Sequence, residues 1–96
     1  MDERRVVITG MALRSPIGNT VDDVSAALKR RESGIRVIRE WEKIEHLRTR
    51  VAGVCEGIDE NEVPRKFRRS MGRVAILAAL AAQDAIRDSG LTEEQV

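Results

Sequence analysis

The chain has 96 residues with 17 basic and 16 acidic side chains, a formal net charge of +1, so its overall balance gives no argument for a nucleic-acid or anionic-membrane partner. An apolar fraction of 42% beside 34% charged residues describes a globular chain, and Trp41 and Phe67 are its only aromatics, so any core is aliphatic and alanine-rich. Cys55 and His46 each stand alone, which excludes a disulfide framework and a Cys/His metal cluster and fits a reducing cytoplasm.

The opening MDERRVVITG passes from charged residues into an apolar run with no h-region or cleavage motif, so it does not read as a signal peptide. Val6, Val7 and Ile8 are continuous rather than alternating, and Met11, Ala12 and Leu13 carry the run past Gly10. That is the pattern of a central strand in a helix-covered parallel sheet. Each parallel neighbour requires a crossover of a dozen or more residues, roughly, so a strand of this kind in so short a chain suggests the opening of a larger domain.

Ser15, Pro16, Gly18 and Asn19 predict a turn, and Thr20 predicts an N-cap with Asp22 and Asp23 in the first helical turn. Val21, Val24 and Leu28 then recur on one helical face, Lys29, Arg30 and Arg31 end the helix, and Gly34 supplies a stop. Residues 40–48 read as a short amphipathic helix around Trp41, Ile44 and Leu47. Residues 49–56 predict a second strand, where Gly53 marks a bulge or a close backbone approach.

Residues 59–64 read as a loop or single turn, because Pro64 disfavours a helical conformation at Val63. One long helix is expected over residues 67–89, stopped by Gly90. Its middle, VAILAALAA, is apolar all round, the signature of a helix enclosed on most sides. A chain of this size leaves such a helix short of cover. This nine-residue run is also far below the about 18 residues that a membrane span needs. Thr92 and the residues after it read as a cap and the first turn of another helix.

V-V-I-T-G also opens many dinucleotide-binding domains, but that fingerprint needs closely spaced glycines, and here Gly10 is followed only at Gly18. The spacing argues against an NAD(P) site. Arg65, Lys66, Arg68, Arg69 and Arg73 form a cationic cluster with no acid among them. At the start of one long helix they oppose the macrodipole, so helix stability does not explain them and an acidic partner does. The bland alternative is a solvated charged turn, or arginines paired within the fold. Nucleic acid is the weaker reading, since Phe67 alone is available for stacking. Cys55, beside Glu56 in a strand-like run, reads as a structural cysteine rather than a nucleophile, and His46 as a surface residue.

Taken together, RVVITGM with SPIGN, the helix ending in Ser33-Gly34-Ile35, RVAGVCEG, and PRKFRRSMGR leading into an alanine-rich helix that ends DSGL resemble the N-terminal part of β-ketoacyl-acyl carrier protein synthases. The motifs occur in the family's order and cover nearly the whole chain. Ala12 and Arg14 depart from the family's frequent G-M-G-M-V-S-P and leave the subfamily open.

The resemblance implies an α/β fold, the N-terminal portion of a thiolase-like layered α-β-α-β-α architecture, with residues 1–96 a partial domain from its first half. It implies acyltransferase chemistry: an acyl group moves from its carrier to an active-site cysteine, malonyl-carrier protein is decarboxylated, and a Claisen condensation joins the two. The family's cysteine sits at a helix N-terminus, with two histidines and backbone amides completing the site. None of those groups maps onto this chain, so no catalytic residue is expected in it. What carries over is the basic cluster: Arg65, Lys66 and Arg69 match positions that contact the acidic surface of the acyl carrier protein, and Arg68 is a weaker candidate. The expected complete enzyme is a cytoplasmic homodimer acting on acyl and malonyl thioesters, with no cofactor, metal, nucleic acid or membrane. The alternatives are a non-catalytic carrier-protein-binding module and, behind it, an NAD(P)-binding domain.

Overall fold

The computed structural model describes residues 3–96. Contacts divide the chain into two compact units, one of Arg14–Asp59 and one of Met1–Leu13 with Glu60–Val96.

In the first unit the predicted turn forms. Ser15 and Gly18 exchange backbone hydrogen bonds of 3.0 and 3.3 Å, and the Ser15 hydroxyl donates to the Gly18 carbonyl at 2.8 Å. Helix α1 follows over Val21–Lys29, and the Thr20 hydroxyl accepts from the Asp23 amide at 3.1 Å, which satisfies one of the amides orphaned at a helix start. Its covered side is not the expected one. Ala27 is fully buried and Val24 half-buried, while Leu28 is exposed, because nothing in the unit lies over Leu28. Nor does Gly34 stop the helix. The chain leaves α1 through Arg30 and through Arg31, whose φ is 58°. Just beyond, Arg30 Nε donates to Glu32 Oε1 at 2.8 Å, and that bond, reinforced by the charge, holds the Glu32 carboxyl below its ordinary pKa.

Strand β1 (Ile35–Val37) pairs antiparallel with β2 (Val51–Gly53), Ile35 opposite Gly53 and Val37 opposite Val51. Both glycines of this region serve close approach. A β-carbon on Gly34 would stand 2.6 Å from Pro16 Cβ, and one on Gly53 2.7 Å from Pro16 Cγ. Between the strands the expected amphipathic helix is reduced to a 3-10 turn over Arg39–Lys43, with Trp41 and Leu47 half-buried and Ile44 exposed. The left-handed φ of 64° at His46 turns the chain out of the helical region at once.

In the second unit, residues 3–13 belong to no strand, so the expected parallel sheet is absent among the described residues. A strand exists only through its backbone partner, and the ribbon of β1 and β2 pairs with itself. Residues 5–13 are nonetheless tied to the long helix. The Met11 amide donates to Asp88 Oδ2 at 3.0 Å, and a β-carbon on Gly10 would meet Ser89 N at 2.6 Å. Val6 is 95% exposed and Ile8 88%.

The expected single helix over 67–89 is two. Helix α2 spans Arg65–Arg68 and α3 spans Arg73–Ser89. The break falls at Ser70, Met71 and Gly72, where the Ser70 hydroxyl takes the Phe67 carbonyl at 3.2 Å and Gly72 disfavours helix. Gly90, at φ 68°, ends α3 in the left-handed conformation as the sequence predicts. Ile76 and Leu80 are buried four residues apart on α3, together with Val63 before α2. The enclosure read from VAILAALAA is one-sided here: Val74 is 80% exposed. Thr92 and Gln95 close a capping box around a 3-10 turn over Glu93–Gln95.

Candidate functional site

The basic cluster lies on α2, on Arg69 at its C-cap and on the first residue of α3. Because the helix breaks at Gly72, only Arg73 occupies an N-terminal position on a full-length helix, and Arg65, Lys66 and Arg68 sit on a short helix of four residues. The conflict with the macrodipole expected from one continuous helix therefore falls on Arg73, and a carboxylate answers it: Arg73 Nη1 reaches Glu60 Oε1 at 3.1 Å.

The structure sorts the five cations into two groups. Arg68 is half-buried, and its Nη1 donates to the Glu60 carbonyl at 3.1 Å and to Asn61 Oδ1 at 2.8 Å, so Arg68 and Arg73 both close onto the 3-10 turn of Glu60–Glu62. Arg65 and Arg69 are exposed and make no side-chain hydrogen bond or ion pair among the described residues. Lys66 is exposed too, and its Nζ stands 4.8 Å from the centroid of the Phe67 ring. The three positions singled out by resemblance are thus the three that point their charge away from the fold. The weaker candidate, Arg68, is the one held inward. Sequence alone missed the part played by Glu60 and Asn61; the signal for it is an acid and an amide set just before Pro64, within reach of the cluster they precede.

The other candidates gain no chemistry. Cys55 is half-buried after β2, and His46 is exposed in its turn. Among the described residues no three His, Cys, Asp or Glu side chains gather as a metal site, and no helix is long and apolar enough to cross a membrane. Arg65, Lys66 and Arg69 together leave an exposed patch of positive charge.

Comparison with known proteins gives this surface a setting. A family model for the β-ketoacyl synthase N-terminal domain matches residues 3–96. The chain is 43% identical over 93 residues to 3-oxoacyl-[acyl-carrier-protein] synthase 1 of Haemophilus influenzae, covering 97% of itself and 23% of that protein. It is 39% identical over 92 residues to 3-oxoacyl-[acyl-carrier-protein] synthase 2 of Vibrio cholerae, covering 95% of itself and 22% of that protein. The crystal structure of a β-ketoacyl synthase from Burkholderia phymatum superimposes with a TM-score of 0.82 at 37% identity, over 97% of this chain and 23% of the other. The chain thus spans less than a quarter of the length of these relatives. Its fold is a part of the thiolase-like α/β architecture, the class expected from the motifs. With the family model and the relatives in agreement over nearly every residue, the chain belongs to the β-ketoacyl synthase family.

Proposed function

We propose that this chain is part of a 3-oxoacyl-acyl carrier protein synthase and that its own contribution is to dock the acyl carrier protein. The reaction is the decarboxylative Claisen condensation of an acyl group with malonyl-carrier protein. An enzyme cysteine takes the acyl group as a thioester, loss of CO2 from the malonyl unit leaves a carbanion equivalent, and that carbon attacks the acyl carbonyl and expels the cysteine sulfur. The names of the relatives carry both the synthase activity and the carrier protein.

One observation carries the docking role: Arg65, Lys66 and Arg69 are exposed, while the neighbouring Arg68 and Arg73 are held by Glu60 and Asn61. Charge of this kind steers an acidic partner and orients it as it arrives. Cys55 is not the nucleophile in this reading, since by the family resemblance the acylated cysteine lies beyond the segments matched here.

The test is a titration of the 96-residue chain with acyl carrier protein at low and at high salt. Binding that weakens steeply with salt, and loses that dependence when Arg65, Lys66 and Arg69 are changed to alanine, is the expected result. Salt-insensitive binding, or a triple variant that behaves as the parent, would overturn the assignment. Incubation with acyl- and malonyl-carrier protein is expected to give no condensation product from this chain alone.

A further inference from the structure

Phe67 is an aromatic in a chain that has only two, and it is 53% exposed, whereas Trp41 is half-buried. Its exposure is not that of a frayed end. The Phe67 amide donates to the Pro64 carbonyl at 3.0 Å, and its own carbonyl accepts from the Ser70 amide at 3.3 Å and the Ser70 hydroxyl at 3.2 Å. The backbone is therefore pinned on both sides while the ring stands in solvent. Nor is the ring needed to anchor this stretch, because Val63, at 3% exposure, already does so. Lys66 lies over the ring at 4.8 Å, and Arg65 and Arg69, which make no ion pair among the described residues, flank it in sequence.

Interfaces draw their free energy unevenly: charges at the edge speed and orient the encounter, and a few desolvated aromatic or arginine side chains hold the complex together. Resting on the docking reading above, we propose that Phe67 is the apolar contact of that surface, seated against an apolar side chain set among the acidic groups of the carrier protein. The charge of segment 65–73, five cations and no acid, selects an acidic partner. The ring within it requires that the partner's acids surround an apolar spot rather than a uniformly charged face. Single-stranded nucleic acid also pairs cations with stacking, but it uses successive aromatics, and α2 offers one.

Salt separates the two contributions, because screening weakens the charges and leaves apolar contact in place. Labelled acyl carrier protein is titrated with the 96-residue chain, with Phe67→Ala, with Phe67→Leu and with the Arg65, Lys66 and Arg69 triple variant, at several salt concentrations; far-UV spectra check that each variant keeps its helix content. Phe67→Ala is expected to weaken binding by about tenfold at every salt concentration with the salt slope unchanged. Phe67→Leu, which keeps the apolar volume, is expected to retain affinity within about threefold. If Phe67→Ala binds as the parent does while the triple variant loses its salt slope, the docking reading stands and the role of Phe67 is refuted. If the parent shows no salt-sensitive binding, the docking reading itself falls. An oligothymidylate probe that binds more tightly than the carrier protein, and is lost in both Phe67 variants, would assign the ring to base stacking and overturn the proposal.

Discussion

Arg73 Nη1 and Glu60 Oε1 meet at 3.1 Å, joining the first residue of α3 to the turn that precedes α2. Both side chains remain about half exposed, so the pair is worth only about 0.5 kcal/mol, enough to make Arg73 modestly less available to a partner than Arg65 or Arg69. Arg73→Ala is therefore expected to change carrier-protein affinity at low salt by less than about twofold, while Arg69→Ala costs about fivefold or more. Isothermal titration of the two variants side by side checks the contrast. Equal losses would mean that the internal pair does not divide the cluster.

Arg68 is expected to matter for stability instead. Its guanidinium satisfies the Glu60 carbonyl and Asn61 Oδ1, and truncation to alanine removes two hydrogen bonds with a charged donor, at a cost of about 1 to 2 kcal/mol. Hydrogen exchange at the amides of α2 reports this directly: faster exchange in Arg68→Ala and unchanged exchange in Arg65→Ala is the expected outcome.

Gly10 admits no side chain, since a β-carbon there meets the backbone of Ala85 and Ser89 on α3. Gly10→Ala is expected to free residues 5–13 from the helix and to destabilise the chain by about 1 to 3 kcal/mol, the usual cost of forced overpacking. The Met11 amide, now bonded to Asp88, supplies the readout: its exchange protection falls in the variant.

Much of this was legible in the sequence, and the misses share a cause. Thr20 as a cap, Gly90 as a stop and the turn at Ser15 and Gly18 rest on local chemistry, and they stand in the structure as read. Apolar run and period placed the strand over residues 5–13 and the covered face on Leu28, but both depend on neighbours that a local pattern does not supply. The continuous helix through residues 67–89 failed because Ser70 and Gly72 break it, a signal present in the sequence and outweighed by the apolar run that follows. For the site, resemblance picked out Arg65, Lys66 and Arg69, whereas the reason Arg68 differs lies in a turn several residues upstream and needs coordinates.

Val6, Val7 and Ile8 stand exposed with no strand partner among the described residues, which is a template for unwanted pairing. The isolated chain is expected to unfold with poor cooperativity and to self-associate, and a Val6→Lys, Ile8→Lys double variant is expected to raise its solubility. Sedimentation velocity over a concentration series distinguishes the two. A parent chain that stays monomeric and melts in one sharp reversible transition contradicts this expectation.

The Arg30 and Glu32 pair sets one pH effect. Because the folded state lowers the Glu32 pKa, through the hydrogen bond from Arg30 and then its charge, the link is fully present above the carboxyl's unfolded value and is lost as pH falls through the folded one. Titration of the Glu32 side chain by NMR is expected to give a midpoint that moves upward in Arg30→Ala. An unmoved midpoint would show that the pair does not persist in solution.

Pro16 fills the space above both Gly34 and Gly53, at 2.6 and 2.7 Å from where their β-carbons would lie. Two positions far apart in sequence therefore pack against one residue, and Ile17 Cγ2, 2.9 Å from where a β-carbon on Gly34 would lie, closes that position a second time. Truncation of Pro16 to alanine would remove the ring carbon nearest Gly53 but leave Cβ, the backbone of residue 16 and Ile17 against Gly34, so a change at 16 relaxes position 53 and not position 34. In a lineage carrying such a change position 34 would still be held to glycine, while the fitness cost of a side chain at 53 would depend on whether the change at 16 came first.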